Sequence, residues 1–85
     1  MPTIASFYGI IIMMYLRKKE HNPPHIHAIY GNYRALFEIN SGKILDNGKF
    51  PKTGKKLVKK FILKYKNELN EMWISGNYYM LPPIN

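Results

Sequence analysis

The chain has 85 residues and reads as a single domain, 1–85, too short to hold two cores. It has no cysteine, which excludes disulfide staples, thiolate metal ligands and thiol nucleophiles and fits a reducing, cytoplasmic setting. Thirteen Lys and Arg against five Asp and Glu give a net charge of +8, a field that draws RNA, DNA or an acidic protein, and 46% hydrophobic residues are enough for a core.

After Pro2, residues 4–7 read as a short edge strand, and Gly9 permits a bend. Residues 10–16 are apolar apart from the Tyr15 hydroxyl, and their β-branched start and short length favour a strand. Apolar side chains on both sides of this strand predict a cover on each face. The domain's own helix supplies one, and a homodimer mate or a protein partner docked on strand 10–16 supplies the other. No membrane association is expected. A membrane span needs about 20 residues, and Arg17, Lys18 and Lys19 follow the apolar run instead of preceding it as in a signal peptide.

His21-Asn22-Pro23-Pro24 comes next, a stiff extended loop, because proline fixes φ and cannot donate to a ladder. Residues 25–30 and 33–39 flank Gly31-Asn32, which signals a hairpin with a type II′ or I′ turn. A two-residue loop pairs 30 with 33, 27 with 36 and 25 with 38. Alternation then puts Ile26, Ala28, Tyr30, Tyr33, Ala35, Phe37 and Ile39 on a core face. His25, His27, Ile29, Arg34, Leu36 and Glu38 share the other.

Asn40-Ser41-Gly42 turns the chain, residues 43–45 add a short strand, and Asp46-Asn47-Gly48 closes it. Pro51 opens a helix and Ser75-Gly76 ends it. Within it Leu57, Val58, Phe61, Ile62, Tyr65, Leu69, Met72 and Trp73 recur at helical spacing, with Trp73 at the edge of the apolar face. An apolar tail, 78–84, broken by Pro82-Pro83, packs back on the domain. The predicted fold is α+β: a small antiparallel sheet of three to four strands with one long C-terminal amphipathic helix on one face.

Charge is concentrated on that helix. Nine lysines and a single acid, Asp46, stand between Lys43 and Lys66. Lys52, Lys55 and Lys56 occupy the first turn, where the helix dipole favours acids, and Glu68 and Glu71 sit near the end that favours bases. Both ends defy the dipole, which points to a surface shaped by a partner. Lys52, Lys55, Lys56, Lys59 and Lys60 are therefore candidate nucleic-acid contacts, the plainer alternative being a solvated lysine face that keeps the domain soluble.

Taken singly, each histidine is most simply a surface or edge-strand residue. Three within seven positions, fixed by two prolines and sharing a face with Arg34 and Glu38, have few structural uses. Two chemistries suit them. His21, His25 and His27 could hold a divalent metal through neutral imidazoles, with Glu38 an alternative third ligand. Alternatively, His21, His25, His27, Arg34 and Glu38 form a metal-free site acting on RNA. There one imidazole takes the 2′-hydroxyl proton, another protonates the leaving oxygen, Arg34 stabilises the phosphorane and Glu38 orients a ring.

The order Met1-Pro2-Thr3-Ile4, Phe7-Tyr8-Gly9-Ile10, His21-Asn22-Pro23-Pro24-His25-Ile26-His27 and Tyr30-Gly31-Asn32-Tyr33 resembles a bacterial family catalogued as domain of unknown function 4160. The resemblance runs from Met1 to the region 69–73, with the His-Asn-Pro-Pro-His-x-His block as its hallmark. Arg17-Lys18-Lys19 is more basic than the family pattern, Glu20 keeps an acid beside the first histidine, and the region 43–66 is richer in lysine than is typical. The resemblance implies an intracellular bacterial protein with a small cognate protein encoded nearby, as in toxin–antitoxin pairs. Two functions are thus expected as alternatives: a histidine-based ribonuclease-like component acting on RNA, or a non-catalytic module of the same two-gene system that binds its protein partner or a metal. A DNA-binding autoregulator has the charge but no helix-turn-helix pattern.

Overall fold

The computed structural model describes residues 2–15 and 23–84. Five strands, β1 (Thr3–Phe7), β2 (Ile10–Met13), β3 (His25–Tyr30), β4 (Tyr33–Glu38) and β5 (Ile44–Asp46), precede one helix, α1 (Lys52–Ser75). The strands form a single antiparallel sheet in chain order. The strand count exceeds the expected three to four, because both short segments at the sheet's margins pair. The second of them sits one residue later than its sequence suggests.

Turn chemistry fixes the register. Tyr8 and Gly9 both have positive φ (50° and 78°), the pattern of a two-residue turn whose twist matches its strands. At the second hairpin Gly31 has positive φ (59°) and Asn32 does not, which is the II′ pattern. Its pairs are His25↔Glu38, His27↔Leu36, Ile29↔Arg34 and Tyr30↔Tyr33, as a two-residue loop requires. The alternation predicted for this hairpin holds for Ile26, Ala28, Ala35, Phe37 and Ile39, which are buried beneath α1, but Tyr30 and Tyr33, expected on the same core face, flank the turn and are exposed.

That inner face is the core. Ile4, Phe7, Ile10, Ile12 and Met14 join the hairpin residues, and Val58, Phe61, Ile62, Leu69 and Met72 of α1 close over them. The Phe7 and Phe61 rings lie 5.1 Å apart. Strand β2 presents an inner and an outer face. Its inward residues are fully buried, but Ile11 is 38% exposed and Met13 and Tyr15 are half-buried, so this chain covers only one of its faces. Regular pairing ends at Met13, short of 16, and Leu16 lies outside the described residues.

The helix follows Pro51 and stops where Gly76 enters the left-handed region (φ 76°, ψ 7°), its N–H donating to the Met72 carbonyl at 2.9 Å. No acid occupies its first turn and no base its last, as the sequence indicates. Leu57 is half-buried, and Gly54 joins the buried stripe. At Tyr65 (φ −113°, ψ 24°) the helix is kinked, a break that the spacing of apolar residues does not reveal. The tail packs back as predicted: Leu81 and Ile84 are buried, and the Leu81 N–H donates to the Ile4 carbonyl at 2.7 Å. No helix among the described residues is long and apolar enough to cross a membrane.

Candidate active site

His25 and His27 open β3, two residues apart, so the pleat projects both rings from the outer face of the sheet. Their centroids are 5.5 Å apart. The surroundings of the two rings differ. His27 is half-buried and stacks on the Tyr15 phenol at 3.9 Å and 25°. His25 is only 7% exposed, with its ring 5.1 Å from the Trp73 indole. The sequence places both imidazoles away from the packed interior, and for His25 this needs correction. The reason is length. The 24-residue helix spans roughly 36 Å if straight, whereas a six-residue strand covers about 20 Å. The helix thus outlasts the strand, and Trp73, near its end, reaches the first residue of β3.

The corner before β3 also sets the chemistry of His25. Its Nδ1 lies 2.8 Å from the Pro23 carbonyl oxygen. A carbonyl can only accept, so Nδ1 carries the proton, and in the neutral ring Nε2 is the basic nitrogen. The Ile39 N–H donates to the Pro24 carbonyl at 3.0 Å, which ties the same corner to the end of β4.

Arg34 and His27 share a shallow cleft of about 180 Å³ on the outer face, walled by Ala35, Leu36 and Asp46. Glu38 faces His25 in the register, but its Oε1 accepts a hydrogen bond from the Ser41 hydroxyl. Its carboxylate is thus tied to the β4–β5 turn. Among the described residues no three His, Asp or Glu side chains are gathered tightly enough to hold a metal ion, so Glu38 does not complete a ligand set with His25 and His27. His21, the third residue of the expected metal and catalytic sets, lies outside the described residues.

The candidate lysines divide. Thr53 and Gly54, at the start of α1, line a cleft with Tyr8 and Tyr30, at the end of β3 remote from the histidines. Lys52, Lys55 and Lys56 belong to this distant end, with Lys55 half-buried; Lys59 and Lys60 are exposed farther along the helix.

Three side chains around the site are absent from the expected set. Tyr15 is legible by parity, since Met13 pairs with His27 and a residue two further on returns to the same face. Asp46 pairs with Leu36 across β4–β5, which only the shifted register of β5 reveals. Trp73 reaches the site through helix length and not through any local pattern.

No match was found among the curated proteins or among the solved structures. A family model does match, over residues 9–74, a stretch that includes the histidine pair, the hairpin and nearly all of α1 but leaves β1 and residues 1–4 outside. The chain belongs to the family described as "Domain of unknown function (DUF4160)".

Proposed function

We propose that the protein is the RNA-directed component of a bacterial two-gene module of the toxin–antitoxin type, with His25 and His27 as its acid–base pair. The observation that carries this reading is the pair itself: two imidazoles 5.5 Å apart on one sheet face, close enough for one phosphodiester to reach both. The tautomer of His25, with Nδ1–H given to the Pro23 carbonyl, suits the base that takes the 2′-hydroxyl proton through Nε2. His27, in the cleft with Arg34, suits the acid that protonates the departing 5′-oxygen. The 2′-oxygen forms a bond to phosphorus as the bond to the 5′-oxygen breaks, leaving a 2′,3′-cyclic phosphate and a free 5′-hydroxyl. Arg34 offers a guanidinium to the equatorial oxygens of the phosphorane.

The test is cleavage of single-stranded RNA by the purified chain, with and without EDTA. Cleavage that survives EDTA and is lost in His25→Ala and His27→Ala variants with native circular dichroism supports the acid–base reading. Activity that EDTA abolishes and a divalent ion restores moves the chemistry to a metal. Full cleavage by the double variant refutes it.

One observation favours the non-catalytic alternative. The outer face of β2 leaves Ile11 exposed beside half-buried Met13, Ile29 and Leu36. Such an apolar strip suits the cognate protein or a second copy of this chain. Co-expression with the neighbouring reading frame separates the readings. Growth inhibition relieved both by the partner and by His25→Ala/His27→Ala supports a toxin, whereas partner binding with no growth effect supports a binding module.

A further inference from the structure

We infer that the cleft between the β4–β5 turn and the middle of α1 is the seat of the RNA backbone. This rests on the RNA-directed reading above and gives it a place on the surface. The cleft is about 420 Å³ in volume, and Lys43, Lys59 and Lys66 line it, with Asn40, Ser41 and Leu63 on the same walls. Three lysines from two elements of the fold thus line one cleft. No acid lines the cleft, and among the described residues none of the three lysines has a carboxylate partner. Like charges gathered this way repel one another, and a phosphate diester between them would relieve the repulsion.

The walls are built to hold this arrangement. Gly42 adopts φ 73°, and a Cβ at that position would be in van der Waals contact with Cγ of Lys59 at 3.8 Å. The aliphatic stem of Lys59 therefore lies over the turn, with its ammonium carried to the cleft. Ser41 is spent inside the turn, donating to Glu38 and accepting from the Lys43 N–H at 3.1 Å. The carboxylate beside the turn is thereby engaged. Asn40 accepts through Oδ1 from Asn70 at 2.9 Å, which orients its own amide N–H groups as neutral donors.

Position favours RNA over an acidic peptide. Ile39, on the cleft wall, directly follows Glu38, which pairs with His25. A strand lying in the cleft is thus at the histidine end of the sheet, on its helix side. The lysines of the helix start stand at the other end, near Tyr30, roughly 16 Å away along β3.

The experiment is fluorescence anisotropy of a labelled single-stranded RNA 12-mer with the full chain across a series of NaCl concentrations. Lys43→Gln/Lys59→Gln/Lys66→Gln is compared with Lys52→Gln/Lys55→Gln/Lys56→Gln, which removes the same charge. The cleft variant is expected to weaken binding by about tenfold or more and to flatten the slope of log K against log salt by about 2, near 0.7 per phosphate for three contacts. The helix-start variant should lose only about two- to threefold, through the general field. Equal losses in the two variants overturn the proposal, as does displacement of the RNA by a poly-glutamate peptide of equal charge at equal concentration. His25→Ala/His27→Ala separates this proposal from the catalytic one. RNA held in the cleft by that variant, with wild-type protein failing to cleave, leaves the cleft standing and removes the ribonuclease. Cleavage with no loss of binding in the cleft variant does the reverse.

Discussion

At Gly54 two well-understood effects have opposite signs. Alanine in place of a helical glycine ordinarily stabilises by up to about 1 kcal/mol, through a smaller entropy loss on folding. Here a Cβ at position 54 would stand 2.7 Å from Cε2 of Phe50 and 3.3 Å from its Cδ2, closer than van der Waals contact allows. The ring has little room to yield. Phe50 is buried, meets Phe37 edge-on at 6.0 Å and has Tyr30 at 6.5 Å. Overpacking of this kind costs about 1–3 kcal/mol. The net expectation for Gly54→Ala is a loss of about 1 kcal/mol, which lowers Tm by about 4–8 °C in a domain of this size. The decisive control is Phe50→Leu, which removes the ring. In that background Gly54→Ala should raise Tm, because only the helix term remains. Four thermal melts complete the cycle, and the coupling they give should be about 1–3 kcal/mol. A rise in Tm for Gly54→Ala in the wild-type background would refute the reasoning.

Other contacts give three further expected outcomes. Gly48→Ala puts a Cβ 2.2 Å from the Arg34 carbonyl oxygen at a backbone φ of 50°, so both strain and a clash with backbone oppose it. It should cost well over the ~1–2 kcal/mol of left-handed strain alone, a large share of the ~3–5 kcal/mol available to so small a core, and a urea midpoint barely shifted would contradict this. Gly76→Ala meets open space at φ 76° and should cost only the strain, about 1 kcal/mol by the same urea assay; a loss above about 3 would mean that the C-cap has contacts unaccounted for. Trp73 is the single tryptophan and lies 5.1 Å from the His25 ring, so its emission at fixed pH should change in His25→Gln. His27→Gln should leave that emission nearly unchanged; the opposite pattern would place the wrong ring beside the indole.

The legible part of this fold is the part set by local periodicity. Gly31-Asn32 fixes the hairpin register, alternation sorts its side chains, and three- and four-residue steps mark the helix stripe. All three are short-range and all appear in the structure. The features that escape detection depend on how elements meet. The kink at Tyr65 leaves the apolar spacing intact, so the pattern cannot register it. The apolar run at 10–16 reads as one continuous strand, yet regular pairing stops at Met13, because composition does not say where a partner strand ends. Arg34 and Glu38 share the histidine face as parity requires, yet only Arg34 lines the cleft with His27, because Glu38 is drawn into the turn by Ser41.

The same distinction explains the charge. Nine lysines between positions 43 and 66 announce a basic surface, but the count cannot say which of them converge. Convergence is set by where the helix crosses the strands. Its first turn meets Tyr30, its last reaches His25, and its middle therefore passes the turn after β4. Lys59 and Lys66, seven residues apart and so on nearly the same face of α1, meet Lys43 there. The earlier lysines are carried to the far end of the sheet by the same geometry. The cluster that reads most strongly against the helix dipole, Lys52, Lys55 and Lys56, is thus the one farthest from the imidazoles. Any grip on phosphate beyond that of Arg34 must draw its cations from mid-helix and from the β4–β5 turn.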